Sequence, residues 1–278
     1  MIIDGHHHVW TLARGDYDWP TPDLAIYRDY GLDDLRAVCG EVRGSVLVQA
    51  TPTVAETAFL LQVAASSHGL VQGVVGWTDL AAADAVARIT ALAATPMLVG
   101  LRTMLQDMPE NDRILDPAVA PALQAMAEAG LPLDLLIRAP QLTVIPRLGE
   151  TFPALRMVID HAAKPPIAAG RWQPWADDIA RAAINPNVVC KLSGLVTEAP
   201  DWSVESLQPT VDHLLCCFGP ERLMWGSDWP VVDLAGGYGR WMTATKALLG
   251  GRSTTERSAI FGKTAARFYQ LPGTNAKG

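Results

Sequence analysis

Eight short apolar runs, separated by longer stretches of helical character, constrain the fold of this chain more than any other feature. The runs are rich in Val, Ile and Leu and are mostly continuous rather than alternating, which is typical of strands buried on both faces of a parallel sheet. They occupy residues 2–3, 45–49, 71–77, 98–102, 132–137, 156–160, 188–192 and 223–225.

The stretches between the runs have helical spacing and recognisable start and stop signals. Asp116-Pro117 and Ser253 to Glu256 are typical helix starts, and Gly130 is a typical stop. The predicted helices are 53–67, 81–94, 117–129, 173–184, 204–218 and 254–269. This alternation predicts an α/β fold, a single-domain (β/α)8 TIM barrel over residues 1–272, with a flexible tail at 273–278. A doubly wound sheet is the alternative, but its glycine-rich first turn is replaced here by a His-x-His pair.

Composition excludes several classes of function. The 278 residues are 49% apolar and 18% charged, with a net charge of −7, so no basic surface for nucleic acid or an anionic membrane is expected. No apolar run is long enough to cross a bilayer, and the first residues do not resemble a signal peptide. The four cysteines lack C-x-x-C spacing. We therefore expect a cytoplasmic enzyme for a small molecule, and the sequence leaves open a homo-oligomer.

The predicted strand ends carry polar residues that a core would not tolerate without a reason. His6 and His8 are two residues apart in the first strand, so their side chains point to the same side. Later runs end in or near further polar groups: Gln49, Arg102, Asp134, Arg138, Asp160, His161, Lys191 and Asp228. In a barrel these ends meet at one face, where active sites lie. Mutual ion pairing within the barrel mouth is the alternative for Arg102, Arg138 and Lys191.

Several motifs together resemble the amidohydrolase superfamily, and more narrowly its TIM-barrel branch that includes sugar lactonases and, more distantly, 2-pyrone-4,6-dicarboxylate lactonase. The resemblance runs from residue 2 to about residue 270. It rests on the segments Ile3-Asp4-Gly5-His6-His7-His8-Val9-Trp10, Val48-Gln49-Ala50 with Glu56, Gly100-Leu101-Arg102, Asp160-His161-Ala162-Ala163-Lys164-Pro165, Lys191-Leu192-Ser193-Gly194-Leu195 and Trp225-Gly226-Ser227-Asp228-Trp229-Pro230.

The resemblance implies roles for particular residues. His6, His8 and Asp228 would bind a metal or act directly on substrate and water, with His161 as the histidine of the sixth strand. Zinc-dependent relatives usually add a histidine on the fifth strand, and residues 131–137 contain none. The resemblance therefore implies either no required cofactor or one divalent metal, zinc or manganese, on His6, His8 and Asp228.

The predicted function is hydrolysis of a small lactone, first of all a sugar (aldono) lactone. Asp228 would act as general base while His6, His8 and His161 polarise the carbonyl. The predicted substrate-binding residues are Gln49, Arg102, Arg138, Lys191, Trp10 and Trp229. The alternatives are a metal-dependent decarboxylase or hydratase of an unsaturated dicarboxylic acid, and a non-catalytic sugar-acid binder. The long loop 11–30 is expected either to cover the barrel mouth or to pack on the first helix.

Overall fold

Eight parallel strands form a nearly closed barrel in the computed structural model, which describes residues 1–272. The strands pair in chain order. They are β1 Ile2–His7, β2 Val42–Val48, β3 Val71–Gly76, β4 Leu98–Met104, β5 Leu133–Leu136, β6 Met157–Ile159, β7 Val188–Leu192 and β8 Leu223–Trp225. Each overlaps one predicted apolar run, so the predicted (β/α)8 barrel is confirmed.

Helices follow the strands and cover the outside of the barrel. They are α1 Leu32–Val38, α2 Val54–Ala65, α3 Ala85–Ala93, α4 Ala120–Ala129, α5 Val144–Thr151, α6 Trp175–Ala183, α7 Val204–Phe218, α8 Tyr238–Leu248, α9 Thr254–Ser258 and α10 Thr264–Phe268. The stretch predicted as one helix over 254–269 is interrupted by a π-helical turn, Ala259–Lys263.

Three helices were not predicted, and each has a local reason. Helix α1 has two acidic residues in its first turn and one fully buried side chain, Leu35, so its sequence shows little of an apolar helical face. Pro146 and Gly149 lie inside α5, although both residues disfavour helices. In α8 the apolar positions are interspersed with Gly239, which weakens the helical pattern. In α5 and α8, buried side chains rather than helix propensity stabilise the segment.

The core has two parts. The larger lies between the strands and the surrounding helices. In the smaller, strand side chains such as Ile3 and Val48 pack against Phe268 and Tyr269 from the end of the described chain. The predicted tail at 273–278 lies outside the described residues. Within residues 1–272, no helix has both the length and the apolarity required to span a bilayer.

Candidate active site

The two histidines of the His-x-His pair point to the same side, as predicted. His6 Nε2 lies 3.2 Å from His8 Nε2, and both side chains are buried. His7 between them makes a different contact, with its Nε2 2.9 Å from Ser45 Oγ. The alternation of a strand is thus sufficient to separate two site histidines from one structural histidine.

Asp228 joins this pair where the barrel closes. Its backbone N–H donates to His6 O at 2.8 Å, which ties the segment after β8 to β1. Its carboxylate oxygen Oδ1 then lies 3.5 Å from His8 Nε2 and 3.7 Å from His6 Nε2. Asp228 has φ +58°, a left-handed conformation that Asp tolerates better than most residues.

His161 completes the group from a strained turn after β6. Residues 161–164 all have φ between 50° and 58°, although none is glycine. Such residues cost of order 1–2 kcal/mol each and persist only when their surroundings hold them. The Trp175 indole N–H supplies one such contact by donating to Ala162 O at 2.8 Å. The turn places His161 Nε2 3.7 Å from Asp228 Oδ1.

The environment of these groups favours an anionic Asp228 carboxylate and neutral His6 and His161 rings. Burial lowers the pKa of His161 to about 4. Burial, reinforced by Lys191, lowers the pKa of His6 well below its ordinary value. Burial alone would raise the pKa of Asp228, but its interactions with His161, His8 and His6 outweigh burial and lower that pKa strongly. Asp228 is therefore ionised at neutral pH.

A buried charge network lies beneath the histidines. Lys191 Nζ lies 2.6 Å from Asp134 Oδ2, 2.9 Å from Asp160 Oδ1 and 3.0 Å from His6 Nδ1. Tyr269 donates its hydroxyl to Asp134 Oδ2 at 2.6 Å. Lys191, predicted to contact substrate, has no exposed surface and does not line the cavity.

Arg102 links this network to the cavity above it. Its Nη1 lies 3.2 Å from Asp160 Oδ2, and its Nη2 donates to the backbone and side-chain oxygens of Gln49. Gln49 is fully buried behind it. Arg102 lines the cavity and is also an ion-pair partner of Asp160, which is the alternative considered for it from the sequence; its substrate-binding role stays a prediction.

The cavity at this face has a volume of about 380 Å³, which is within the range of small-molecule sites. Its wall includes three of the four predicted catalytic residues, whereas His6 lies behind them. The lining residues are His8, Trp19, Ala50, Arg102, Met104, Gln106, Asp107, Leu136, Arg138, His161, Lys164, Thr197, Asp228 and Val231. Arg138 stands at the rim, where it pairs with Asp107 at 2.9 Å.

The aromatic wall of the cavity differs from the predicted one. Trp10 and Trp229 are 0% and 1% exposed, and neither lines the cavity. Trp19 does line it, and its ring packs edge-on against Trp10 with centroids 5.8 Å apart. Loop 11–30 therefore contributes to the barrel mouth. The sequence signal for Trp19 was the length of that loop. Lys164 also lines the cavity, but the pattern of polar residues at the strand ends did not indicate it.

The donor atoms are spaced suitably for a divalent cation. His6, His161 and Asp228 offer ligand atoms that all lie within 4.8 Å of one another. Zn–N bonds of about 2.0–2.1 Å in a tetrahedron place neighbouring ligand atoms roughly 3.4 Å apart. The distances from Asp228 Oδ1 to the histidine nitrogens, 3.5–3.7 Å, are close to this value. This group contains His161 in place of His8, which the sequence had predicted as a ligand together with His6 and Asp228.

Relatives with assigned names match nearly the whole chain. An L-fucono-1,5-lactonase of Burkholderia ambifaria is 43% identical over 280 residues, covering 97% of this chain and 95% of the relative. An L-fucono-1,5-lactonase of Burkholderia multivorans is 36% identical over 98% of this chain and 97% of its own length.

Solved structures agree in fold. A crystal structure of an amidohydrolase from Burkholderia multivorans with bound zinc has a TM-score of 0.91 and 35% identity, covering 98% of this chain and all of that one. A probable 2-pyrone-4,6-dicarboxylic acid hydrolase from Acinetobacter baumannii, at 18% identity over 97% of this chain and 99% of its own, shares the fold with a TM-score of 0.79. The family model described as amidohydrolase matches residues 3–271. The chain therefore belongs to the amidohydrolase family, as its motifs had predicted.

Proposed function

We propose that this protein hydrolyses a small lactone, specifically a sugar (aldono) lactone, to the open hydroxy acid. The observation that carries the proposal is the ionised Asp228 carboxylate at the end of a cavity, surrounded by His6, His8 and His161. The two relatives named L-fucono-1,5-lactonase support the substrate class.

Asp228 serves as the base that activates water. A water molecule between Asp228 Oδ1 and the lactone carbonyl carbon loses a proton to the carboxylate as its oxygen attacks. The strongly lowered pKa of Asp228 keeps the carboxylate ionised before attack. Once protonated, the same group is a strong acid, which suits the next step.

Donors around the carbonyl oxygen stabilise the charge that develops there. His161 Nδ1 lies 2.8 Å from Ser193 Oγ, and a hydroxyl donating to Nδ1 leaves the Nε2–H of His161 to donate to the carbonyl oxygen. Arg102 adds a positive charge on the cavity wall. Together these groups form an oxyanion site on the cavity wall.

Collapse of the tetrahedral intermediate breaks the bond between the carbonyl carbon and the ring oxygen. Protonated Asp228 returns its proton to that oxygen, which becomes the hydroxyl of the open acid, and the new carboxylic acid then ionises. The positive groups Arg102, Arg138 and Lys164 on the cavity wall match that carboxylate and the sugar hydroxyls. Trp19 supplies a flat apolar face for the ring.

The remaining predicted binding residues support the site from behind. Gln49 holds Arg102, Lys191 contacts His6, and Trp10 packs against Trp19. If a divalent cation binds, His6, His161 and Asp228, with His8 beside them, would hold it, and the bound cation would polarise the lactone carbonyl as a Lewis acid.

The test is a panel of 1,4- and 1,5-aldonolactones, including L-fucono-1,5-lactone, with acid release followed by a pH indicator. Each lactone is assayed with metal-free protein and with added zinc or manganese. We expect ring opening of at least one sugar lactone far above the buffer rate. Thermal stabilisation by the open acids without any turnover would instead identify a sugar-acid binder and contradict the proposal.

A further inference from the structure

The buried lysine beneath the site contacts the ring nitrogen of His6 that faces away from Asp228. Lys191 Nζ lies 3.0 Å from His6 Nδ1 and is also within 3 Å of a carboxylate oxygen of Asp134 and of Asp160. Lys191 faces two carboxylates, and an ammonium group has three donors and no acceptor, so His6 Nδ1 is the acceptor in its contact with Lys191.

This contact determines where His6 carries its proton. A neutral imidazole has one N–H, so a ring that accepts at Nδ1 carries its hydrogen on Nε2. Placing the hydrogen on Nδ1 would set two donors against each other 3.0 Å apart. Both tautomers are neutral, so hydrogen bonding and not pH decides between them.

His8 has the complementary arrangement. Its Nδ1 lies 2.8 Å from Val48 O, and because a carbonyl can only accept, the hydrogen of His8 is on Nδ1. In the neutral ring, Nε2 of His8 then carries a lone pair that can accept from His6 Nε2, 3.2 Å away. The donors then form one consistent chain, from Lys191 to His6 to His8 to Val48.

We propose that Lys191 is a positioning residue that holds His6 in the Nε2–H tautomer and thereby disfavours cation binding at the site. A cation needs the lone pair on Nε2, which His8 offers and His6 does not. Binding through His6 requires its hydrogen to move to Nδ1. There Asp160 Oδ1, 3.5 Å away, is the acceptor, and Lys191 is a competing donor. In metal sites the group behind a ligand histidine is normally an acceptor.

This inference rests on the proposed function only for the importance of His6. Its tests measure a tautomer and a cation affinity, so they can fail while lactone hydrolysis stands, and the reverse is also true.

The first test reads the tautomer directly in the metal-free, full-length protein. Long-range proton–nitrogen NMR correlations of ¹⁵N-histidine distinguish the two tautomers, and the His6→Gln variant identifies the His6 signals. We expect His6 to carry its hydrogen on Nε2, and to shift toward Nδ1 in Lys191→Met. A wild-type protein with the hydrogen on Nδ1 would overturn the proposal without any need for a stable variant.

The second test measures zinc affinity by competition with a chromophoric chelator. Because Lys191→Met also removes a positive charge, the decisive variant is K191M/D134N, which loses one charge of each sign. We expect it to bind zinc about tenfold more tightly than wild type, the lower end of the effects of groups behind metal ligands. Arg102→Met is the control, because it removes a positive charge next to Asp160 without touching His6. Unchanged affinity in K191M/D134N, or an equal gain in R102M, would contradict the proposal.

Discussion

At Asp228, backbone hydrogen bonds fix the position of the side chain that we propose as the base. Its N–H bonds to His6 O and its own carbonyl accepts from Val232 N at 3.0 Å, so the main chain on both sides is fixed. The side chain therefore has few alternatives to the position among the histidines. Its charge state depends on those neighbours rather than on exposure, since the residue is only 4% exposed.

Replacing Asp228 with Asn removes the base while preserving shape and one hydrogen-bond acceptor. We expect kcat for lactone opening to fall roughly 10³-fold, within the range for general acid–base groups, with little change in melting temperature. Steady-state kinetics and thermal denaturation measure the two effects. Asp107→Asn at the cavity rim is the matched control and should retain most activity. A D228N enzyme with more than a tenth of wild-type kcat would contradict the assignment.

Gly194 leaves space for the His161 ring because it has no side chain. Its φ is +63°, and an added Cβ would lie 2.6 Å from His161 Cγ. Gly194→Ala should therefore displace the His161 ring and lower kcat about 10- to 100-fold. Gly130→Ala is the control, since Gly130 has φ +63° and ψ +24° in the same left-handed region, with no neighbouring heavy atom within 4 Å of an added Cβ. Equal activity losses in the two variants would show that backbone strain, not the ring contact, is responsible.

At the scale of elements, Asp4 joins β1 to the segment after β8 and to α8. Its Oδ1 accepts from Ser227 N at 2.8 Å and from His6 N at 3.2 Å, and its Oδ2 accepts from the Tyr238 hydroxyl at 3.0 Å. Burial raises the pKa of Asp4 to about 6 in spite of these bonds. The contact between β1 and the segment after β8, which closes the barrel, thus depends on the Asp4 carboxylate. The pattern of polar residues at the strand ends did not indicate this residue.

Tyr238→Phe tests this connection between elements. Removing the hydroxyl leaves Asp4 Oδ2 without this donor, and we expect the free energy of unfolding to fall by about 1–2 kcal/mol. Urea denaturation measures it, and kcat should stay within about twofold because Asp4 Oδ1 keeps its bonds. Tyr27→Phe, at a tyrosine that is 44% exposed, should change stability by less than about 0.5 kcal/mol. Equal stability of the two variants would contradict the role assigned to Asp4.

For the whole molecule, buried carboxyl groups link stability to pH. Glu56 on α2 accepts hydrogen bonds from Ala50 N and Thr51 N, yet burial raises its pKa from 4.5 to about 7. Between pH 4.5 and about pH 7, the Glu56 carboxyl therefore keeps its proton in the folded protein, whereas the unfolded chain has lost that proton. The stabilisation is complete below about pH 4.5 and is lost as the pH rises to about 7.

Glu56→Gln should remove this part of the pH dependence. We expect the difference in unfolding free energy, wild type minus variant, to fall by roughly 3 kcal/mol between pH 4.5 and pH 7, at about 1.4 kcal/mol per pKa unit. Denaturant titrations at several pH values measure this difference. A difference that is constant with pH would show that Glu56 ionises normally in the folded protein.

The candidate catalytic group was predictable from the sequence because its position follows from simple rules. Two-residue alternation brings His6 and His8 to one side, and parallel strands bring their C-terminal ends, with His161 and Asp228, to one face of the barrel. Neither rule requires knowledge of packing. The predicted roles of these four residues remain predictions until the kinetic tests are made.

The sequence by itself determined the barrel, because eight apolar runs alternate with helical stretches and the first run leads into a His-x-His pair instead of the glycine-rich turn of a doubly wound sheet. It also determined the family, through motifs that remain recognisable without coordinates. Only the tertiary structure decided which polar and aromatic residues reach the cavity. Trp19 lines it while Trp10 and Trp229 do not, and Lys191 lies beneath His6 rather than on the cavity wall. Such outcomes depend on loop path, side-chain direction and the pairing of buried charges, which involve residues distant in sequence.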